Sequence, residues 1–253
     1  MSTPWFDAPA PLLPEILALN GRWLGRKPAV ICDDQVLSWA DFEQQTSQLA
    51  NGLIALGIVP GDRVAVLMEN SAEMMVVLFG ILRAGAVAVP LNLMVADAGI
   101  EAMVGDAEAR AVFASAEHTG RLETMRDRLP RVSDGAWIGC GDCPNGWTAY
   151  SSWLAEQDAS DPAVVLSDDA ECNIIYSSGT TGMPKGIVHT HRRRLDWFYD
   201  LAIALRYDRA AVNLCSLGLY SNISWAGMGC TLLAGGTVVV MRAFDPRDWL
   251  EQV

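Results

Sequence analysis

The stretch Ser177-Ser178-Gly179-Thr180-Thr181-Gly182-Met183-Pro184-Lys185-Gly186 carries three glycines, four hydroxyl side chains and one lysine. It follows directly on the apolar run Asn173-Ile174-Ile175-Tyr176. A strand that empties into such a loop offers backbone N–H groups, hydroxyl donors and one ammonium to whatever lies above it. Convergent N–H dipoles and a point positive charge hold anions, so the natural guest is a polyphosphate. The spacing is not that of a P-loop phosphotransferase. Gly179 and Gly182 precede Lys185 as G-x-x-G-x-x-K, and Gly186 stands where a P-loop needs Ser or Thr. A simpler role also fits these residues: a Gly/Thr-rich tip between two hairpin strands.

The full string from Ile174 to His191, IIYSSGTTGMPKGIVHTH, resembles the phosphate-binding signature of the adenylate-forming superfamily. That family includes acyl-CoA synthetases, luciferases and the adenylation domains of peptide synthetases. The resemblance implies that Ser177, Ser178, Gly179, Thr180, Thr181, Gly182 and Lys185 hold the phosphates of ATP, with Lys185 and Thr181 acting in catalysis. It implies an α/β fold of mainly parallel sheets with flanking helices, the N-terminal part of the family's large domain. Two more segments resemble the family, Ile81 to Asn92 and Leu37 to Phe42, and their implied roles are structural.

A third segment, Ser216 to Trp225, lies where the family places a wall of its acyl pocket, which points to Tyr220, Ser221, Asn222 and Trp225. Acyl-CoA synthetases commonly carry an aromatic residue followed by histidine there. Here Tyr220 is followed by Ser221, so that histidine is missing. Amino-acid-activating members carry an acid in this region, and none occurs between Ser216 and Trp225. The implied substrate is a fatty or aryl carboxylic acid, with ATP and CoA as co-substrates. The implied Mg2+ would take its ligand from outside this chain, and no residue here is assigned to metal. The rival expectation is a non-catalytic module that keeps the fold and weak phosphate binding.

Of the 253 residues, 51% are hydrophobic and 19% charged, which suits a globular chain rather than a disordered one. A net charge of −12 argues against a nucleic-acid surface. The dense basic run His191-Arg192-Arg193-Arg194 reads as a solvated helix start, or as a steering patch for an anionic nucleotide. The six cysteines include only one C-x-x-C pair, Cys140 and Cys143, so reduced thiols in a cytoplasmic protein are expected. His189 and His191 form H-x-H with no third ligand in view. No basic leader or membrane-length apolar run is visible, and Pro11 and Pro14 interrupt the apolar N-terminal stretch.

The rest of the pattern must position the loop. Strands are expected at 29–32 and 36–39, turned at Asp33-Asp34, with Ser38 capping a helix and Asp41 as its reciprocal partner. A strand at 63–68, an apolar helix at 71–83 and a strand at 86–90 form a parallel strand–helix–strand unit. A helix near 97–106, a strand at 111–115 and a helix at 117–129 follow. A looser connection then covers 135–162. Beyond the loop come a strand at 186–190, a helix near 192–206, a strand at 211–215, a helix at 223–233 and a strand at 237–241. The sequence stops at Val253 inside a helix begun by Asp245 and Pro246, so residues 1–253 are expected to form the N-terminal portion of an adenylation domain without its mobile C-terminal domain. On that expectation the chain alone lacks most of the adenosine site and does not turn over ATP.

Overall fold

Two sheets share one core in the computed structural model, which describes residues 11–177 and 184–253. The larger sheet builds outward from strand β3 (Arg63–Leu67), whose neighbours are β4 (Val87–Pro90) and β5 (Ala111–Ser115). Beyond β5 lie β6 (Trp137–Cys140) and β7 (Thr148–Ala149), and beyond β4 lie β8 (Glu171–Ser177) and β9 (Lys185–Thr190). The smaller sheet has the order β10 (Val212–Cys215), β11 (Thr237–Val240), β1 (Pro28–Cys32), β2 (Gln35–Ser38). Among the described residues β1–β2 and β8–β9 are antiparallel hairpins, and every other pairing is parallel.

Helix α2 (Trp39–Ala55) starts as its sequence implies. Ser38 Oγ accepts from the Asp41 N–H at 3.2 Å, and the Asp41 carboxylate accepts from the Ser38 N–H at 3.0 Å. Two orphan donors of the first turn are thereby satisfied. Helix α3 (Ala72–Arg83) is apolar around its whole circumference and touches β1 of one sheet as well as β3 and β4 of the other. A helix can be greasy on all faces only when it is enclosed on all faces. Gly85 ends it with φ +74, a backbone conformation that costs glycine little.

The unit β3–α3–β4 is the expected parallel crossover, and β10 and β11 repeat it around α8 (Asn222–Leu233). The edge of the second unit pairs with the N-terminal hairpin, Val30 with Val238 and Ile31 with Val239. Trp39 reinforces that junction by donating from Nε1 to the Gly236 carbonyl at 3.2 Å.

Several details depart from the sequence reading. Helix α1 (Leu13–Trp23) forms where two prolines suggested an interruption. Pro14 sits in its first turn, where a missing N–H costs nothing, and Glu15 accepts from the Leu12 N–H at 2.6 Å. The helix expected at 117–129 is shorter. Helix α5 (Ala116–Glu123) stops at Thr124, whose hydroxyl bonds back to the Arg121 carbonyl at 2.7 Å, and a 3-10 turn covers Arg126–Arg128. The connection at 135–162 contains β6, β7 and α6 (Tyr150–Ala155). The remaining helices are α4 (Asp97–Asp106), α7 (His191–Ala204) and α9 (Pro246–Gln252). No helix of the described residues is long and apolar enough to cross a membrane.

Candidate active site

Strands β8 and β9 pair along their length, and the last pair in register is Ser177 with Lys185. Strand β8 is thus followed along the chain by its own antiparallel partner β9. A P-loop instead runs from strand into helix, so the topology removes the phosphotransferase reading. Cα atoms paired across antiparallel strands lie roughly 5 Å apart, so Ser177 and Lys185 face each other at the ends of the two strands. Both residues are exposed. Ser178, Gly179, Thr180, Thr181 and Gly182, the other phosphate-binding candidates, lie outside the described residues.

The hairpin has a local reason for its shape. Gly186 follows the lysine, and a Cβ there would come within 2.9 Å of Ile174 Cγ2 and 3.3 Å of the Tyr176 ring. The cross-strand side chains occupy the space that any larger residue would need. Tyr176 is anchored in turn, since its hydroxyl donates to Asp106 Oδ2 at 2.6 Å and sits 3.1 Å from the Met103 carbonyl. That pair fixes the end of β8 to α4, and with it the base of the loop.

The four acyl-pocket candidates fall on the turn into α8. Ser221 is its N-cap and accepts from the Ser224 N–H at 3.3 Å. Tyr220 is half-buried over Gly218, and Asn222 is exposed at the first helical position. Trp225 is fully buried, 5.9 Å from Phe79 between ring centroids. The turn is held from the other sheet by Asn70, which donates to the Leu217 and Met241 carbonyls at 3.0 and 2.9 Å and accepts from the Leu219 N–H at 2.8 Å. Sequence reasoning did not single out Asn70; nothing local marks an asparagine that bonds residues far along the chain.

A cavity of about 260 Å³ opens beside this turn, lined by His189, Arg193, Arg194, Asp196, Trp197, Asp200 and Asn222. The basic run thus splits three ways. Arg192 pairs with Asp168 at 2.8 Å, Arg193 stays exposed, and Arg194 is buried. Successive helical residues point about 100° apart, so a run of three cannot share one solvated face. The expectation of a solvated helix start fails at Arg194. Its Nη1 donates to Asn222 Oδ1 at 2.7 Å and its Nε to Asn173 Oδ1 at 3.0 Å. Nη2 lies 3.3 Å from His189 Nδ1, and the guanidinium sits 5.4 Å from the ring centres of both Trp197 and Trp225. Burial lowers its pKa to about 10.

His189 and His191 are held neutral. Burial lowers both to about 4, with the neighbouring Arg194 charge adding to the effect on His189. Neutral His189 can accept at Nδ1 from Arg194. His191 is 2% exposed and its Nε2 has no hydrogen-bond partner among the described residues, so a proton there would be a buried, unpaired charge. A depressed folded-state pKa means that the unfolded chain binds the proton first. The stability from His191 is fully present above pH 6.5 and drains away as pH falls towards 4. A shift of that size amounts to about 3 kcal/mol. Urea melts across this window should show His191→Gln with the flatter pH profile; parallel profiles would mean that His191 titrates normally.

Among the described residues no group of three His, Cys, Asp or Glu side chains is placed to hold a metal ion. The six cysteines are free thiols. Burial pushes Cys172 and Cys215 up to about 12, which leaves them poor nucleophiles.

The sequence matches the AMP-binding enzyme family over residues 20–253. The chain belongs to that family. It is similar to the long-chain-fatty-acid–CoA ligase FadD13 of Mycobacterium tuberculosis, at 35% identity over 219 residues, 84% of this chain and 41% of that protein. It is 30% identical over 212 residues to a linear gramicidin synthase of Brevibacillus parabrevis, 84% of this chain and 2% of that protein. Its fold superposes with a TM-score of 0.88 on an anthranilate CoA ligase, AuaEII, in complex with anthranoyl-AMP, at 25% identity, over 96% of this chain and 47% of that one. The chain therefore spans less than half the length of these relatives.

Proposed function

We propose that this chain supplies the phosphate-binding part of an enzyme that activates a carboxylic acid with ATP. The observation that carries the reading is the β8–β9 hairpin, which sets Ser177 and Lys185 in register at the two ends of the Gly/Thr loop. A carboxylate resists nucleophiles because it is already negative. In the proposed reaction its oxygen attacks the α-phosphorus of ATP, the bond to the bridging oxygen breaks, and pyrophosphate leaves with that electron pair. A CoA thiolate then attacks the acyl carbon and AMP departs, giving the thioester. The protein's task is to hold the phosphates in line and balance the charge that builds on them. Lys185 brings a full charge, while Ser177, Ser178, Gly179, Thr180, Thr181 and Gly182 bring donors. No side-chain nucleophile is required.

The acid is a fatty or aryl acid without an α-amino group, since Ser216 to Trp225 offers no carboxylate to pair with an ammonium. The relatives' names span fatty-acid, aryl and peptide chemistry, so similarity alone does not choose among them. A cytoplasmic setting goes with the reading, because free thiols persist under reducing conditions. Pyrophosphate exchange in a form of the protein that turns over ATP is the test, run across fatty, aryl and amino acids. Exchange with fatty or aryl acids is expected. Selective exchange with amino acids would overturn the substrate class.

A further inference from the structure

We propose that Arg194 receives the far carboxylate of the substrate in the cavity beside α7, so that the acid activated is a dicarboxylic acid. The inference rests on the acid-activating reading above and narrows its substrate. Arg83 and Arg194 are the buried arginines among the described residues, and only one of them is neutralised. Arg83 has the Glu43 carboxylate at 2.9 Å. Arg194 has no carboxylate within ion-pair distance among the described residues; its partners are two amide oxygens and an imidazole. A buried cation is costly unless a counter-charge meets it, and here a cavity opens onto it instead.

The donors around it are also underused. A guanidinium has five N–H groups, and Asn173 Nδ2 and Trp225 Nε1, both on residues that touch Arg194, are buried without acceptors among the described residues. A surplus of donors fits a ligand rich in acceptors, and a planar fork fits a carboxylate best. Asp196 and Asp200 also line the cavity, are exposed, and oppose a free anion, with Arg193 offsetting them in part. The balance favours an anion that reaches past them to Arg194 itself.

Position ties the cavity to the proposed acyl end. Asn222 and Trp225, two of the acyl-pocket candidates, both meet Arg194, through the Asn222 Oδ1 bond at 2.7 Å and the Trp225 ring at 5.4 Å.

The test titrates the chain with suberate and, as the monoacid of equal length, octanoate. Calorimetry measures affinity, and the fluorescence of Trp197 and Trp225 reports on the site. Suberate is expected to bind at least about tenfold more tightly, the scale of one charge-assisted hydrogen bond. Arg194→Met should erase that preference, and Arg194→Lys should retain part of it. Should Arg194→Met fail to fold, the wild-type preference and Arg194→Lys decide. Equal binding of the two acids to the wild type, or an unchanged preference in either folded variant, overturns the proposal. Pyrophosphate exchange separates the two readings. Exchange with octanoate and not suberate overturns the dicarboxylate and leaves acid activation standing. Suberate binding with no exchange for any acid overturns acid activation and leaves the anion site.

Discussion

Lys185→Ala is expected to lower pyrophosphate exchange by about two to three orders of magnitude, the usual loss when one preorganised charge donor is removed from a developing oxyanion. The fold should survive. Lys185 is exposed, makes no ion pair among the described residues, and contributes its backbone to the β8–β9 ladder, which alanine leaves in place. Exposed substitutions of this kind move stability by about 0.5 kcal/mol or less. Exchange kinetics and a thermal melt on the same preparation read both halves. Arginine should rescue poorly, because a broad fork does not replace a compact ammonium on a phosphate oxygen. An unchanged exchange rate in Lys185→Ala would remove the lysine from the chemistry. A loss of activity matched by loss of the folded state would assign it a structural role instead.

The parts legible in the sequence are those whose signals are local. Ser38 and Asp41 announce a helix start across three residues, and Gly85 with Pro90 punctuates a helix and a strand. The hairpin that carries the loop is implied by two apolar runs on either side of a glycine-rich turn. What stayed hidden depends on partners far away. The pairing of β1 with β11 joins chain segments about 208 residues apart, as Val30 meets Val238, and no periodicity in either strand encodes that register. Asn70 gains its role from carbonyls at Leu217 and Met241. Arg194 sits in a run whose composition suggests solvent, yet helical rotation and the indoles of Trp197 and Trp225 draw it inward. The proposed phosphate loop is a local motif, whereas the burial of Arg194 depends on partners that no local pattern displays.

Phe79→Ala is expected to be the most damaging single truncation in the core, costing about 3–5 kcal/mol. Phe79 lies on α3, the helix enclosed by both sheets, and is fully buried. Its ring is 5.8 Å from Phe42 of α2 and 5.9 Å from Trp225 of α8, so one side chain joins three helices. Beyond the lost area, each aromatic pair contributes roughly 0.5–1.5 kcal/mol. At about 2–4 °C per kcal/mol for a chain of this size, the melting midpoint should fall by roughly 10 °C. The consequence reaches the proposed site, because the Arg194 guanidinium sits 5.4 Å from the Trp225 ring centre. A double-mutant cycle of Phe79→Leu with Trp225→Phe should return a coupling above about 0.5 kcal/mol, and Phe79→Leu alone should loosen suberate binding at a position that touches no ligand. Additive losses in the cycle, with suberate affinity unchanged, would mean that the core and the acyl end of the site are mechanically separate.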